Sequence, residues 1–314
     1  MTEFGFIENL RKMTATLPDG GFEGIGDDCA IYPLEGGDAL VVTVDALNEG
    51  VHFLRNSISA AQLAAKSLEV NISDVAAMGA TPIATLLSLG LPADLPEGWL
   101  EEFSKEYIVA SQRTGVALIG GDTTASQSGI TISVTAIGRT KQSNIKRRSE
   151  AVAGDVIMVG GRLGASAAGL RDTLNGLLNS EVAQIHRAPK AQVAEGIWLG
   201  GQAEVHAMMD ISDGLASDLC HILKASNVGA RLIIEQIPCY EGATIEDAVA
   251  GGEDYKLLFT VAADSAERLC EQFRAQFGYA PYPIGTITSS TTHRIEWCEN
   301  GLVTERSWRG FEHF

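Results

Sequence analysis

Acidic residues beside glycine or at the ends of apolar runs are the side chains of this 314-residue chain best suited to carry chemistry. A strand end or a glycine turn lets a short carboxylate project, and it also lets a phosphate approach the backbone closely. The candidates are Asp27 and Asp28 (GIGDD), Asp45 (TVD), Asp122 (GGD), Asp210 and Asp213 (DISDG), Glu253 and Asp254 (GGED), and Asp74 within an otherwise apolar helical stretch.

A site made of carboxylates with few histidines indicates Mg²⁺ rather than zinc. The formal net charge of −17 repels nucleic-acid phosphates, so no nucleic-acid partner is expected. Anionic substrates would then need a divalent cation, because two like unit charges about 4 Å apart repel by roughly 4 kcal/mol at an effective dielectric near 20. Phosphoryl transfer assisted by bridging metal ions fits these requirements.

Each acidic motif also has a plain structural interpretation. An Asp beside Gly is more often a turn or a helix cap, and spacing alone does not show that the motifs converge. For Asp74, facing water and facing a site are equally expected, although Asn71 lies on the same helix face. The run GGRLGASAAG (160–169) could cradle an anion, but a tight strand-to-helix turn is favoured. The chain has no P-loop motif, no H-R-D or D-F-G set, and no H-E-x-x-H spacing.

The elements that must position these residues form an α+β pattern. Apolar β-branched runs predict strands at 39–45, 115–122, 130–138, 155–161, 230–238 and 255–261. Helical spacing predicts helices at 59–78, 97–113, 166–178, 189–199, 214–226 and 264–277. A polar, basic segment at 140–154 predicts a boundary between two domains, 1–145 and 146–314.

The cysteines indicate a reduced, intracellular protein. Five cysteines (Cys29, Cys220, Cys239, Cys270 and Cys298) are widely spaced without a C-x-x-C pair. The first residues lack the apolar run of a signal peptide, and no stretch of about 18 apolar residues could cross a bilayer. We therefore expect a cytoplasmic location and no membrane partner. Cys29 is interpreted as a packing residue and not as a nucleophile.

Seven motifs together resemble the thiamine-monophosphate kinase family, in order from about residue 5 to the last residue. They are GIGDDCA, TVDALNEGVHF, KSLEVNISDVAAMGATP, LIGGDTT, MDISDGLASDL, GGEDYKLLFT and WRGFEHF. The GDD and GGD pieces also occur in related ATP-using synthetases of the aminoimidazole ribonucleotide synthetase-like superfamily. GGEDY with a terminal G-F/Y-x-H-F is more particular to the thiamine kinases.

The resemblance implies a two-domain α+β fold with the active site in a cleft. The N-terminal domain would bind metal and ATP and would pair its strands in a homodimer, and a C-terminal mixed-sheet domain with helices would complete the cleft. The implied magnesium ligands are Asp28, Thr43, Asp45, Asp74, Asp122, Asp210 and Asp213, of which Asp45, Asp122 and Asp210 are expected to be catalytic. The implied ATP contacts are Gly121, Asp122, Arg148 and Ser212, and the implied acceptor contacts are His52, Glu253 and Phe311.

One position departs from the family pattern. Where members often carry Ser-Thr-Asp, this chain has Thr43-Val44-Asp45. Val44 can offer a metal only its backbone carbonyl oxygen.

The resemblance and the carboxylates together predict Mg²⁺-dependent, direct in-line transfer of the γ-phosphate of ATP to thiamine monophosphate. Two alternatives stay open. The first is another enzyme of the superfamily that activates an oxygen with ATP, although no reactive N-terminal cysteine and no C-terminal cysteine support the selenium or cyanide-ligand branches. The second is a non-catalytic calcium-binding protein, although the chain has no EF-hand loop.

Overall fold

The computed structural model describes residues 2–311. Its helices are α1 (Glu3–Thr14), α2 (Ala60–Ala77), α3 (Trp99–Thr114), α4 (Ala165–Leu174), α5 (Glu181–Arg187), α6 (Val193–Gly200), α7 (Leu215–Ser226), α8 (Ile245–Ala250) and α9 (Ala266–Phe277). Its strands are β1 (Ala30–Pro33), β2 (Asp38–Asn48), β3 (Thr81–Leu91), β4 (Ala117–Ala125), β5 (Thr131–Lys141), β6 (Val156–Val159), β7 (Val205–Asp210), β8 (Gly229–Ile233), β9 (Leu257–Val261), β10 (Tyr282–Thr288), β11 (Ile295–Glu299) and β12 (Leu302–Thr304). None of the helices among these residues is long and apolar enough to cross a membrane.

The first half of the chain forms a five-stranded sheet in the order β1-β2-β5-β3-β4, in which only the β3–β4 pair is parallel. Alternation along β2 turns Val41 and Leu47 toward α2, which packs on this face. Residues 2–311 leave the opposite face uncovered, and Val44 is 60% exposed there. β4 lies at the edge of the sheet, and all nine of its residues are exposed.

The second half forms a seven-stranded mixed sheet in the order β12-β11-β8-β10-β6-β9-β7. Two apolar clusters pack against it, one around Leu219 and Leu258 and the other around Phe259 and Phe273. Helices α7 and α9 contribute to these clusters, which gives the α+β arrangement expected from the sequence.

Helix α2 joins the two sheets. It begins at a capping box in which Ser59 and Gln62 exchange hydrogen bonds, and nearly all of its residues are buried. One side of α2 contacts β2, β3 and β5, and the other contacts β7 and α6. The approach of α6 requires Gly196, because a Cβ there would lie 2.3 Å from the carbonyl oxygen of Ala76.

All six predicted strands and all six predicted helices are present, with ends that shift by a few residues. The strand predicted at 230–238 is shorter, since β8 ends at Ile233 and a 3-10 turn follows. Among the described residues, strands β1, β3, β7, β10, β11 and β12 and helices α1, α5 and α8 were not predicted. For β3 and β7 the amino-acid composition explains the omission. The β3 segment contains Pro82 and few β-branched residues, and β7 is rich in Ala and Met, so neither has a strong strand pattern. The sheets divide between β5 and β6, and the boundary at 145/146 stays a prediction.

Candidate active site

Three carboxylates from distant parts of the chain meet where α2 passes between the sheets. Asp28 precedes β1, Asp74 lies on α2, and Asp210 ends β7. One oxygen of each lies within 4.8 Å of the other two. We call these three residues the acidic centre. Their convergence answers the question that spacing alone left open.

Strand β2 adds two further predicted residues to this centre. The Thr43 hydroxyl donates a hydrogen bond of 2.6 Å to Asp74 Oδ2, and the backbone N–H of Asp45 donates to Asn71 Oδ1 at 2.9 Å. Asn71 in turn donates to the carbonyl oxygen of Ser67 at 2.9 Å. Asp74 and Asn71 therefore share the helix face that meets β2, so Asp74 belongs to the site and does not simply face water.

Burial and repulsion between neighbouring carboxylates make Asp45, Asp74 and Asp210 difficult to ionise. Burial, followed by the charge of Asp28, raises the pKa of Asp210 to about 8, although a hydrogen bond from Ser73 opposes the change. Burial and the charges of Asp28 and Asp213 raise the pKa of Asp45 to about 6. Burial and neighbouring carboxylates raise the pKa of Asp74 well above its ordinary value.

The acidic centre has the donors that a hard divalent cation needs. Its ligand atoms are all oxygens, and Asp28 Oδ2 is buried without a hydrogen-bond partner. A cation at this point would satisfy that oxygen and remove the repulsion that raises the pKa values. The residues present therefore fit Mg²⁺.

Arg148 supplies a positive charge at the edge of the acidic centre. Its Nη2 donates to Asp28 Oδ1 at 2.6 Å, and its backbone N–H donates to Asp27 Oδ1 at 2.7 Å. Burial, the largest single influence, favours the neutral guanidinium, but the charge and hydrogen bond of Asp28 together with the charges of Asp27 and Asp218 outweigh it and raise the pKa of Arg148. Its Nε is buried without a partner, so this donor is available to an anionic ligand.

A pocket of about 180 Å³ lies farther along α2. Two predicted residues, His52 and Glu253, line it together with Lys66. His52 Nδ1 accepts a hydrogen bond from the backbone of Asn48 at 3.0 Å, which places its proton on Nε2. Lys66 was not among the predicted residues. The sequence feature that could have identified it is a lysine within the largely apolar helical stretch AQLAAKSLEV.

The loop after β7 connects the acidic centre to this pocket. The backbone N–H of Glu253 donates to the Ser212 carbonyl at 2.7 Å, and that of Phe311 donates to the Asp213 carbonyl at 3.0 Å. Asp218 holds the loop, because its Oδ2 accepts from the backbone N–H groups of Asp213 and Gly214 at the start of α7. The structure thus brings Ser212, Asp213 and Phe311 to this region, and residues 312–314 of the terminal motif lie outside the described residues.

Gly121 and Asp122 are not brought together with the acidic centre within one chain. Asp45 on β2 and Gly121 on β4 lie in the same row of paired residues across β2, β5, β3 and β4. They are therefore three strand spacings apart, or about 14 Å at 4.8 Å per strand. Asp122 pairs with Ser88 on β3 and, through β5, with Ala46 on β2. Paired residues point to the same face of a sheet, so the Asp122 side chain lies on the face opposite α2. Its carboxylate accepts a hydrogen bond from the next backbone N–H, that of Thr123, at 2.9 Å.

Two other sequence candidates have structural roles. The Asp254 carboxylate accepts from the backbone N–H groups of Gly164 at 2.5 Å and Ser166 at 3.1 Å, so it occupies the start of α4. The glycine run at 160–169 is therefore the favoured strand-to-helix turn. Cys29 is buried at 5% exposure, and burial together with nearby carboxylates raises its thiol pKa, which suits packing rather than nucleophilic attack.

Comparison with known proteins gives matches over nearly the whole chain. The AIR synthase related protein N-terminal domain matches residues 26–140, and the corresponding C-terminal domain matches residues 152–298. The thiamine-monophosphate kinase of Salmonella typhimurium is 37% identical over 303 residues, covering 93% of this chain and 91% of the relative. The Escherichia coli K12 enzyme of that name is 36% identical over 305 residues, with the same coverage of 93% and 91%.

Solved structures agree with these relatives. AaThiL complexed with AMPPCP and TMP superimposes with a TM-score of 0.84 at 31% identity, covering 100% of this chain and 97% of that one. The thiamine-monophosphate kinase of Stenotrophomonas maltophilia gives a TM-score of 0.75 at 35% identity, covering 96% and 98%. The hydrogenase maturation protein HypE in complex with ATP shares the fold, with a TM-score of 0.70 at 17% identity and coverage of 95% of each chain.

Proposed function

The chain belongs to the thiamine-monophosphate kinases of the AIR synthase related family, and we propose that it transfers the γ-phosphate of ATP to thiamine monophosphate. The products are ADP and thiamine diphosphate. The observation that carries this proposal is the arrangement along α2. Lys66 at the pocket and Asp74 at the acidic centre are eight residues apart, or about 12 Å at 1.5 Å per residue. A ring held in the pocket could therefore extend its phosphate toward the acidic centre.

The acidic centre and its neighbours are the proposed site for Mg²⁺. The ligands from this chain are Asp28, Thr43, Asp45, Asp74, Asp210 and Asp213. Several Mg²⁺ ions bound there would neutralise the phosphates and the charge that develops on the transferred group. Arg148, with its unpartnered Nε, and Ser212 are the proposed contacts to ATP.

The reaction we propose is a direct in-line displacement. A terminal oxygen of the acceptor phosphate forms a bond to the γ-phosphorus of ATP while the bond from that phosphorus to the β,γ-bridging oxygen breaks, and ADP leaves with the electron pair. A phosphate monoester is largely ionised near neutral pH, so no strong base is needed. Positioning and charge neutralisation then account for most of the rate, with no phosphoenzyme.

The pocket suits the acceptor. Thiamine monophosphate has a cationic thiazolium ring and an aminopyrimidine, which favour an anionic hydrogen-bond acceptor and an aromatic face. Glu253 provides the carboxylate and His52 a ring N–H. Phe311, half exposed and attached to the Asp213 loop, is the proposed aromatic contact.

The homodimer predicted from the family explains the position of Asp122. An edge strand exposed along its whole length and an uncovered apolar sheet face are surfaces that a second copy would cover. We infer that two copies pair through this sheet and that Gly121 and Asp122 act in the site of the partner subunit. Equal amounts of inactive Asp122→Asn and Asp210→Asn proteins, after subunit exchange, should then recover about a quarter of the wild-type rate, because half of the dimers carry one intact site. No recovery, despite exchange, would place Asp122 in its own chain's site.

An assay of product mass tests the reaction itself. The protein with ATP and Mg²⁺ should convert thiamine monophosphate to the diphosphate and leave free thiamine unchanged. Asp45→Asn should remove turnover without unfolding the protein. Absence of thiamine diphosphate, or wild-type kcat in Asp45→Asn, would refute the proposal. Thermal stabilisation by Mg²⁺ with an ATP analogue, beyond Mg²⁺ alone, separates a kinase from a cation-binding protein.

A further inference from the structure

Lys66 is a buried cation at the acceptor pocket. Its side chain is 1% exposed, in the middle of α2, among apolar neighbours such as Leu63 and Val70. Taking an ammonium group out of water is costly unless it is paired and hydrogen-bonded. The sequence keeps a lysine at a position where the helix pattern calls for an apolar residue, so its partners indicate its role.

Those partners are the two predicted acceptor residues in the pocket. Lys66 Nζ lies 3.0 Å from each carboxylate oxygen of Glu253, and it donates to the His52 backbone carbonyl at 3.1 Å. Two of the three ammonium donors are used in these hydrogen bonds, and the side chain is 1% exposed, so little of it can reach a ligand in the pocket. Lys66 thus connects two segments of the pocket lining that are about 200 residues apart in sequence.

The neighbouring His186 does not supply a positive charge to balance the Glu253 carboxylate. His186 Nδ1 is 3.4 Å from Glu253 Oε2, but burial, followed by the charge of Lys66, lowers the His186 pKa to about 4. His186 is therefore neutral at physiological pH, and its Nδ1 also lies 2.9 Å from the Ser166 hydroxyl. Among the described residues in contact with Glu253, Lys66 is the cation that balances its carboxylate.

The backbone at Glu253 also needs to be held in place. Glu253 has φ of 64°, a left-handed conformation that is unfavourable for a residue with a side chain. The bond from its N–H to Ser212 fixes one end of the residue, and Lys66 fixes the carboxylate at the other end.

We propose that Lys66 is a positioning residue for the acceptor, on the basis of the function proposed above. It holds the Glu253 carboxylate at the pocket, and it also holds the His52 segment, which lines the same pocket. It does not touch the acceptor or ATP. Loss of Lys66 should therefore weaken acceptor binding selectively, because the ATP contacts lie at the other end of the site.

The test compares Lys66→Met, which keeps the length of the side chain without its charge, with the wild type. Acceptor KM should rise at least about tenfold, equivalent to 1.4 kcal/mol, while the KM for ATP changes by less than about twofold. Titration calorimetry of thiamine monophosphate should show the same loss without ATP. In a Glu253→Gln background, the effect of Lys66→Met should fall to less than about threefold, because residues that act together are not additive.

Lys190→Met is the matched control. Lys190 Nζ is 3.0 Å from Glu69 Oε1, so this pair also joins α2 to the second half of the chain, but away from the pocket. Its removal should leave both KM values unchanged. A purely structural role for Lys66 would give the same result in both variants, or equal rises in both KM values, and would overturn the proposal.

Failure of the proposed function, and failure of Lys66→Met to fold, can each be distinguished from failure of the Lys66 proposal. If the wild type does not phosphorylate thiamine monophosphate, the proposed function fails, and the comparison of Lys66→Met with wild type by calorimetry still tests Lys66. If Lys66→Met does not fold, the double variant Lys66→Met/Glu253→Gln removes the unpaired charge. Its acceptor KM should lie within about threefold of that of Glu253→Gln, and a further tenfold rise would show that Lys66 acts independently of Glu253.

Discussion

Replacing Asp210 by Asn should stabilise the metal-free protein and abolish its response to Mg²⁺. Asp210 is 1% exposed and belongs to the acidic centre, where burial and the charge of Asp28 raise its pKa to about 8. The Asn amide has nearly the same shape, carries no charge, and keeps an oxygen that can accept the Ser73 hydrogen bond. The substitution therefore replaces a group that is costly to ionise in the folded protein by a neutral group of similar shape.

The magnitude follows from linkage between protonation and folding. The folded protein binds a proton at Asp210 more tightly than the unfolded chain, so this group lowers stability increasingly as the pH rises from about 4 to 8. At pH 7, about three units above the ordinary pKa, the unfavourable contribution is up to about 4 kcal/mol at 1.4 kcal/mol per unit. Shared protonation with neighbouring carboxylates and burial of the amide reduce the expected gain to about 1–3 kcal/mol, or roughly 3–8 °C in Tm.

Thermal unfolding in EDTA and in Mg²⁺, at pH 6, 7 and 8, measures both effects. The gain from Asp210→Asn in EDTA should increase with pH, and the wild type alone should be strongly stabilised by Mg²⁺. Asp155→Asn is the control, because the buried Asp155 carboxylate instead lies 2.9 Å from His206 Nδ1. That variant should be less stable and should keep the Mg²⁺ response. A lower Tm for Asp210→Asn in EDTA at pH 8, or an undiminished Mg²⁺ response, would refute the reasoning.

Two further substitutions test other parts of the site. Arg148→Met should raise the KM for ATP at least about tenfold, since it removes the guanidinium beside Asp28, and an unchanged KM would exclude Arg148 as a nucleotide contact. Asp254→Ala leaves the N–H groups of Gly164 and Ser166 unpaired at the start of α4, so unfolding in urea should show a loss of about 1–3 kcal/mol. Unchanged stability would contradict the capping role of Asp254.

The strongly patterned elements were predictable from the sequence. α2 has a long apolar helical pattern, and β2 and β5 have β-branched runs, so all three were found with small errors at their ends. β3 was not predicted, because Pro82 and a series of leucines hide a strand that is stabilised by pairing with β5 on one side and β4 on the other. Its stability comes from the sheet rather than from local preference.

The acidic motifs could be recognised, but their relative positions could not. Convergence of Asp28, Asp74 and Asp210 depends on how α2 crosses from one sheet to the other, and no local pattern encodes that crossing. For the same reason Lys66 was not predicted, because its role depends on Glu253, which is 187 positions away in the sequence. Asp122 is a third example: its motif resembles that of the family, but within one chain the residue lies far from the acidic centre, and the sequence did not reveal this.

Helix α2 carries two ionisable side chains of opposite sign, Asp74 and Lys66, in different electrostatic surroundings. At Asp74, α2 holds a carboxylate among other carboxylates, which destabilises the metal-free fold, whereas at Lys66 it holds a cation that pairs with the Glu253 carboxylate. The surrounding helix is almost entirely buried and packs against both sheets, so neither charge can move away without disturbing both sheets. A rigid α2 would thereby keep the proposed cation site and the proposed acceptor pocket at a constant separation, which is the property that a transfer between two phosphates requires.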